Sequence, residues 1–207
     1  MPNTAAFAQS DYQVRLEWGR AGLRRLAPAD VVVVVQTLGL SARALSVCEN
    51  ADALTPAPGV AVDIAREASE AGAHVIVGGV RNAAAVAAYV LDQQRARGRR
   101  TSIAILPVGE SEESGTDAVR FAVEDLLGAG AVIAALGDLG IDHASPDAAV
   151  AAEGFRALGG AVRHLLTASG SGRALAARGG RDDVLAAAAR DAASVVPVLT
   201  GGVFVSA

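Results

Sequence analysis

The sequence predicts an α/β fold, with helices on both faces of a largely parallel sheet, in a single domain spanning residues 1–207. Three observations carry that reading. Val31–Val35 is an unbroken run of β-branched residues, the pattern of a strand buried on both faces. His74–Val77 and Ser102–Leu106 are two further short apolar runs. The segments between them keep a helical spacing, so strand and helix alternate. A hydrophobic content of 52% over 207 residues suffices for a sizeable core, and with only 3% aromatic residues that core must be packed from Ala, Val and Leu.

The elements follow in order. After the valine strand, Ser41 is placed to cap a short helix through "ARALSVCENA", and Leu54–Gly59 ("LTPAPG") breaks the chain as the one candidate linker. "VDIAREASEAG" has helical spacing with Gly72 as its stop, and the second strand follows. Asn82 is a good N-cap for the helix "AAAVAAYVLDQQRAR", whose residues favour that state. The third strand empties into the polar loop "PVGESEESGTD". A helix is then expected through "AVRFAVEDLLGAGAVIAAL", where Gly128 and Gly130 imply close backbone packing or a kink. Ser145 with Pro146 signals a helix start, and two short helices are expected around "SGRALAARG" and "RDDVLAAAARDA". "VVPVL" and "VFV" are closing strand candidates, the first weakened by Pro197.

Composition excludes several classes of function. The net charge is -4 and the one dense basic run, Arg95–Arg100, reads as the end of an amphipathic helix entering a solvated loop, so nucleic acid is not an expected partner. Cys48 is the single cysteine, which rules out an internal disulfide and a cysteine-based zinc site. His74, His143 and His164 are scattered and read as structural or exposed. With no signal-like N-terminus and no apolar run of membrane-spanning length, the expectation is a cytoplasmic protein with no membrane partner.

Chemistry is expected where the strands end, because ligands of open α/β sheets bind beyond the carboxyl ends of the strands. Gln36 follows the first strand directly. After the second, Gly78 and Gly79 allow close backbone approach, Arg81 supplies a cation, and the helix opening at Asn82 points free N–H groups outward, a candidate anion site. After the third, Glu110 comes directly off the strand, followed by Glu112 and Glu113, then by Glu124 and Asp125 in the next helix. Such carboxylates suit Mg²⁺ bound against a phosphate ester. Glu124 and Asp125 point about 100° apart on a helix, so one of them is expected to do other work. For Glu112 and Glu113 a solvated loop is the simpler reading.

Several of these segments occur together in a known family. "QSDYQVRLEWGRAGL", "GGVRNAAAVA", "PVGESEESG" leading to "AVEDLLGAGAVIAAL", "SGRALAARG" followed by "DDV", and "VVPVL" resemble the 2-phosphosulfolactate phosphatases, the ComB-like enzymes of sulfonate metabolism. The resemblance implies a three-layer α/β/α fold and Mg²⁺-dependent hydrolysis of 2-phospho-3-sulfolactate, a small anionic phosphoester, to sulfolactate and phosphate. It implies catalytic roles at Glu110 and at the position of Gln36, substrate contacts at Gly78, Gly79, Arg81 and Asn82, and metal ligation by Glu110, Glu124 and Asp125. A homo-oligomer is compatible with it.

The sequence also departs from the family. Gln36 stands where the resemblance places an Asp, and Ser111 stands where the family has an Arg. The family's Asn-Gly-Ser/Thr turn aligns near Val60–Val62, where none of those residues remains, and a block is missing near Ala53–Ala57. A neutral amide in place of a carboxylate removes a full charge from a metal site. The alternative is therefore a catalytically inactive homologue that keeps an anion-binding cleft or serves as a subunit partner, or an enzyme retuned to another phosphoester.

Overall fold

The computed structural model describes residues 4–111 and 118–207; Glu112 and Glu113 lie outside them. The main sheet has the order β1 (Val14–Leu16), β4 (Ile103–Pro107), β2 (Val31–Val35), β3 (His74–Val77), β7 (Pro197–Thr200) and β8 (Val203–Ser206). The first four strands are mutually parallel, whereas β7 runs antiparallel to β3 and β8 antiparallel to β7. Val31 aligns with both His74 and Ile103, so all three expected strands share one sheet and their carboxyl ends leave it at one edge.

The valine run shows why both faces are covered. Val31, Val33 and Val35 pack into one apolar cluster with helices α4 (Ala83–Arg97), α5 (Val123–Asp138) and α6 (Pro146–Leu158). Val32 and Val34 face the other way, into a second cluster with Leu40 and Ala44 of α2 (Leu40–Cys48) and Ile64 and Ala68 of α3 (Val60–Glu70). Side chains of a strand alternate between faces, so each needs its own helical layer. The result is three layers, α/β/α.

Several local expectations need correction. Ser41 is not the cap of α2: its Oγ accepts from the Gln36 N–H at 3.0 Å and donates to the Gly78 carbonyl at 2.8 Å, tying the ends of β2 and β3. The helix expected from residue 118 begins at Val123, because Val119–Arg120 (β6) pairs instead with Glu110–Ser111 (β5). Asn82 precedes α4 but its side chain caps nothing. The edge strand β1 and helix α7 (Val162–Ala168) were not foreseen. In β1 a charged Arg15 interrupts the apolar pattern; it is only 6% exposed because its guanidinium donates to the carbonyls of Tyr12, Ala27 and Ser10. Pro197 sits at the first position of β7, where a missing N–H is tolerated. Ser145 caps α6 by accepting from Ala148, with Pro146 next, as the sequence indicates.

The two helix glycines permit close packing. A Cβ on Gly128 would lie 2.5 Å from Thr37 Oγ1 and 2.8 Å from Val35 Cγ1, and one on Gly130 would lie 2.2 Å from the Ala151 carbonyl. Without these side chains α5 presses against the end of β2 on one side and against α6 on the other. That contact brings the first turn of α5 to the sheet edge.

Candidate active site

The first turn of α5 locks two strand ends together. Asp125 is 2% exposed; its Oδ1 accepts from the Thr37 N–H at 2.7 Å and its Oδ2 from the Gly109 N–H at 2.9 Å. One carboxylate thus braces the turn after β2 to the loop after β4. Thr37 Oγ1 adds a bond to the Glu124 carbonyl at 2.8 Å. Burial pushes the Asp125 carboxyl up to about 7, against the two backbone N–H groups that favour its charged form. Of the adjacent pair, Asp125 is the one that does other work.

Glu124 is different. It is 4% exposed and lines a cleft of about 380 Å³, yet its carboxylate has no hydrogen-bond or ion-pair partner among the described residues. Gln36, Glu110, Asp125, Ser171 and Arg178 share that cleft. Glu110 follows Gly109, whose φ of +69° turns the chain off β4. Its carboxylate accepts from the Ser171 hydroxyl and from Arg120, and these two contacts hold it below the usual carboxylate range. Ser171 is placed by α8 (Gly170–Ala177), capped by Ser169, which accepts from the Gly172 N–H at 3.0 Å. Arg178, just after α8, is exposed and has no ion-pair partner among the described residues.

Gln36 also lines this cleft, but its amide oxygen is committed. Its Oε1 accepts from the Leu40 N–H at 2.9 Å, capping α2, and a Cβ on Gly39 would lie 2.4 Å from that oxygen. A side chain and a glycine three residues apart thus fit as a pair. Among the described residues no three acidic, histidine or cysteine side chains converge as a ready-made metal cage.

The four residues after β3 lie elsewhere. Gly78 faces the core, where a Cβ would sit 2.8 Å from Val33 Cγ1. Asn82 is fully buried, donating to the carbonyls of Val77 (3.3 Å) and Val195 (3.1 Å). The N–H of Ala84 meets the chain's own Asp191 carboxylate at 2.8 Å. Arg81 pairs with Glu49 at 2.9 Å and lines a separate, larger groove, while Gly79 borders only a cavity of about 10 Å³. Several of the donors expected to face an anion thus meet the protein's own groups, whereas the Arg81 Nε is buried without a partner among the described residues.

The structure therefore brings Gln36, Glu110, Glu124 and Asp125 into one cleft and leaves Gly78, Gly79, Arg81 and Asn82 outside it. Ser171, Arg120 and Arg178 escaped the sequence reading of the site. Arg178 and Ser171 belong to "SGRALAARG", a segment with no apolar strand before it and so no local sign of a pocket.

No described helix is long and apolar enough to cross a membrane. A family profile described as 2-phosphosulpholactate phosphatase matches residues 61–202, more than half of the chain, and covers Glu110, Glu124, Asp125, Ser171 and Arg178 but not Gln36. No curated protein matches the sequence.

Proposed function

Because the chain belongs to the 2-phosphosulpholactate phosphatase family, we propose that it hydrolyses a phosphate monoester in the cleft at the ends of β2 and β4, with 2-phospho-3-sulfolactate as the reference substrate. The observation that supports this most is Glu124, a residue only 4% exposed whose carboxylate lines the cleft with no hydrogen-bond or ion-pair partner among the described residues. A carboxylate that lines a cleft without a protein partner is available to a bound cation.

Mg²⁺ fits this site only in a limited sense. It is commonly held by one or two carboxylates together with substrate phosphate oxygens and water. Glu124 would supply one carboxylate and Glu110 a second by giving up contacts to Ser171 or Arg120, whereas both Asp125 oxygens already accept buried backbone N–H groups. Bound there, Mg²⁺ would polarise the phosphoryl group and lower the pKa of a bound water. The protein's own contributions are separate. Arg178 offers a forked donor to phosphate oxygens. Arg120 and Ser171 fix the rotamer of Glu110. Asp125 keeps the two strand-end loops in register.

The second reading, an inactive homologue that binds anions without turnover, is favoured by Gln36, a neutral amide already spent on capping α2. Phosphate release from a panel of phosphoesters, with and without Mg²⁺, separates the two. The expected result is Mg²⁺-dependent release that falls at least about a hundredfold in Glu124→Gln, about 2.7 kcal/mol of barrier. A folded parent that releases phosphate from no ester supports the inactive reading instead.

A further inference from the structure

We infer that Arg43 holds a second anionic group of the phosphoester, a carboxylate or a sulfonate, in the groove that adjoins the carboxylate cleft. The inference rests on the reading of that cleft as a phosphoester site and names the residue that selects the rest of the ligand.

The groove has a volume of about 680 Å³ and shares Leu38, Gly39 and Leu175 with the cleft, so one wall runs through both. An arginine stands on each side of that wall. Arg178, three residues after Leu175, lines the cleft, and Arg43, four residues after Gly39, lines the groove. The Arg43 N–H donates to the Gly39 carbonyl at 3.2 Å, so the two are one turn apart, about 6 Å along the axis of α2. A ligand whose phosphate faces Arg178 therefore passes the shared wall and meets Arg43.

The other charges of the groove have partners of their own. Glu49 ends α2, where the helix dipole disfavours a carboxylate, and Arg81 offsets it at 2.9 Å. Asp183 lies in the first turn of α9 (Arg181–Ala187), where the dipole favours one. Arg81 has little left to offer: its Nη1 is taken by Glu49 and its Nε is buried. The guanidinium of Arg43 is different. Arg43 is exposed, and that group has no hydrogen-bond or ion-pair partner among the described residues. Arg43 and Ser46 are three residues apart on one face of α2, so a hydroxyl stands beside the cation in the same groove. A forked donor with a hydroxyl next to it suits the oxygens of a carboxylate or a sulfonate.

Calorimetric titration at low ionic strength with Mg²⁺ present tests this with three phosphonates, which mimic phosphoesters but release no phosphate: 3-phosphonopropionamide, 3-phosphonopropionate and 2-phosphonoethanesulfonate. They differ only at the group away from phosphorus. The parent should bind at least one of the anionic probes about fivefold more tightly than the amide, the worth of one exposed ion pair, and the tighter of the two identifies the group. Arg43→Gln, a change at an exposed position, should reduce that preference below about twofold and leave the affinity for the amide unchanged. A parent with no such preference overturns the inference, as does a preference that survives Arg43→Gln or disappears only in Arg81→Gln. A parent that binds none of the probes overturns it together with the reading of the cleft. Binding in the expected order by a protein that releases phosphate from no ester leaves the role of Arg43 standing and sinks the phosphatase reading alone.

Discussion

The loop after β4 and the turn after β3 leave the same edge of one sheet, on either side of β2, yet the first faces the carboxylate cleft, whereas the backbone of the second is closed over by the chain and its Arg81 lines a separate groove. After β4, the buried Asp125 ties the backbone of Gly109 to that of Thr37 and leaves Glu110 and Glu124 facing the cleft. After β3, the segment 191–195 closes over the turn: Asp191 takes the N–H of Ala84, Ala193 donates to the Arg81 carbonyl, and Asn82 reaches the Val195 carbonyl. A glycine pair, an arginine and a helix start are the ingredients of an anion site, but they form one only if no carboxylate of the protein arrives first.

The sharpest way to break this comparison is to remove the brace. Asp125→Ala leaves two buried N–H groups without acceptors, each costing about 1–3 kcal/mol, so a loss of about 2–6 kcal/mol is expected in urea unfolding. Asn82→Ala should also destabilise, but without altering phosphate release, because Asn82 touches neither cleft. The pH dependence adds a signature. The Asp125 carboxyl rises from 3.8 in the unfolded chain to about 7 when folded, so between those values the folded state binds more protons than the unfolded one. The stability Asp125 contributes is therefore present below 3.8 and lost as the pH rises through about 7. Burial lowers the His74 pKa, which gives the opposite slope in part of that window, so the quantity to measure is the difference between parent and Asp125→Asn. An identical pH profile for the two proteins would show that Asp125 is ionised throughout.

These residues also show what the sequence could and could not convey. The valine run, the shorter apolar runs and the Ser145–Pro146 start report burial and capping, which are local, and the structure bears them out. That Glu124 and Asp125 differ in role is legible from helical geometry alone; which of them braces depends on where Thr37 and Gly109 arrive. Competition for donors is invisible in the same way. Asp191 lies more than a hundred residues from Ala84, and no spacing rule links them. Arg15 hid β1 because a charge in a strand reads as exposure until its four carbonyl acceptors, on Ser10, Tyr12, Ala27 and Pro28, are known.

Anion binding sharpens the contrast between the two arginines. Arg178 lines the carboxylate cleft without an ion pair among the described residues, whereas Arg81 is held by Glu49. Arg178→Ala should weaken sulfate binding by about 1.5–3 kcal/mol, the worth of a hydrogen bond to a charged group, and Arg81→Ala by much less. Thermal shift against sulfate concentration reads both. A larger loss in Arg81→Ala would return the anion to the turn after β3.

The smallest expected effect concerns Gln36, which stands where the sequence resemblance places an Asp. Gln36→Asp places a carboxylate at the end of β2, beside Glu110, Glu124 and Asp125 in one cleft. Two terms oppose each other. A fourth carboxylate raises attraction for Mg²⁺, while its repulsion from the other three, and its shorter reach toward the Leu40 N–H, act against the folded site. Loss of an N-terminal helix cap costs about 0.5–2 kcal/mol, comparable to what one added ligand on a hydrated ion contributes. The net expectation is a gain in Mg²⁺ affinity of no more than about tenfold, or about 1.4 kcal/mol, seen by calorimetry together with a lower urea midpoint. The coupling of the two readouts is the test: tighter Mg²⁺ binding with no loss of stability would show that the Gln36 amide is not needed to start α2, and unchanged binding would place the metal away from the end of β2.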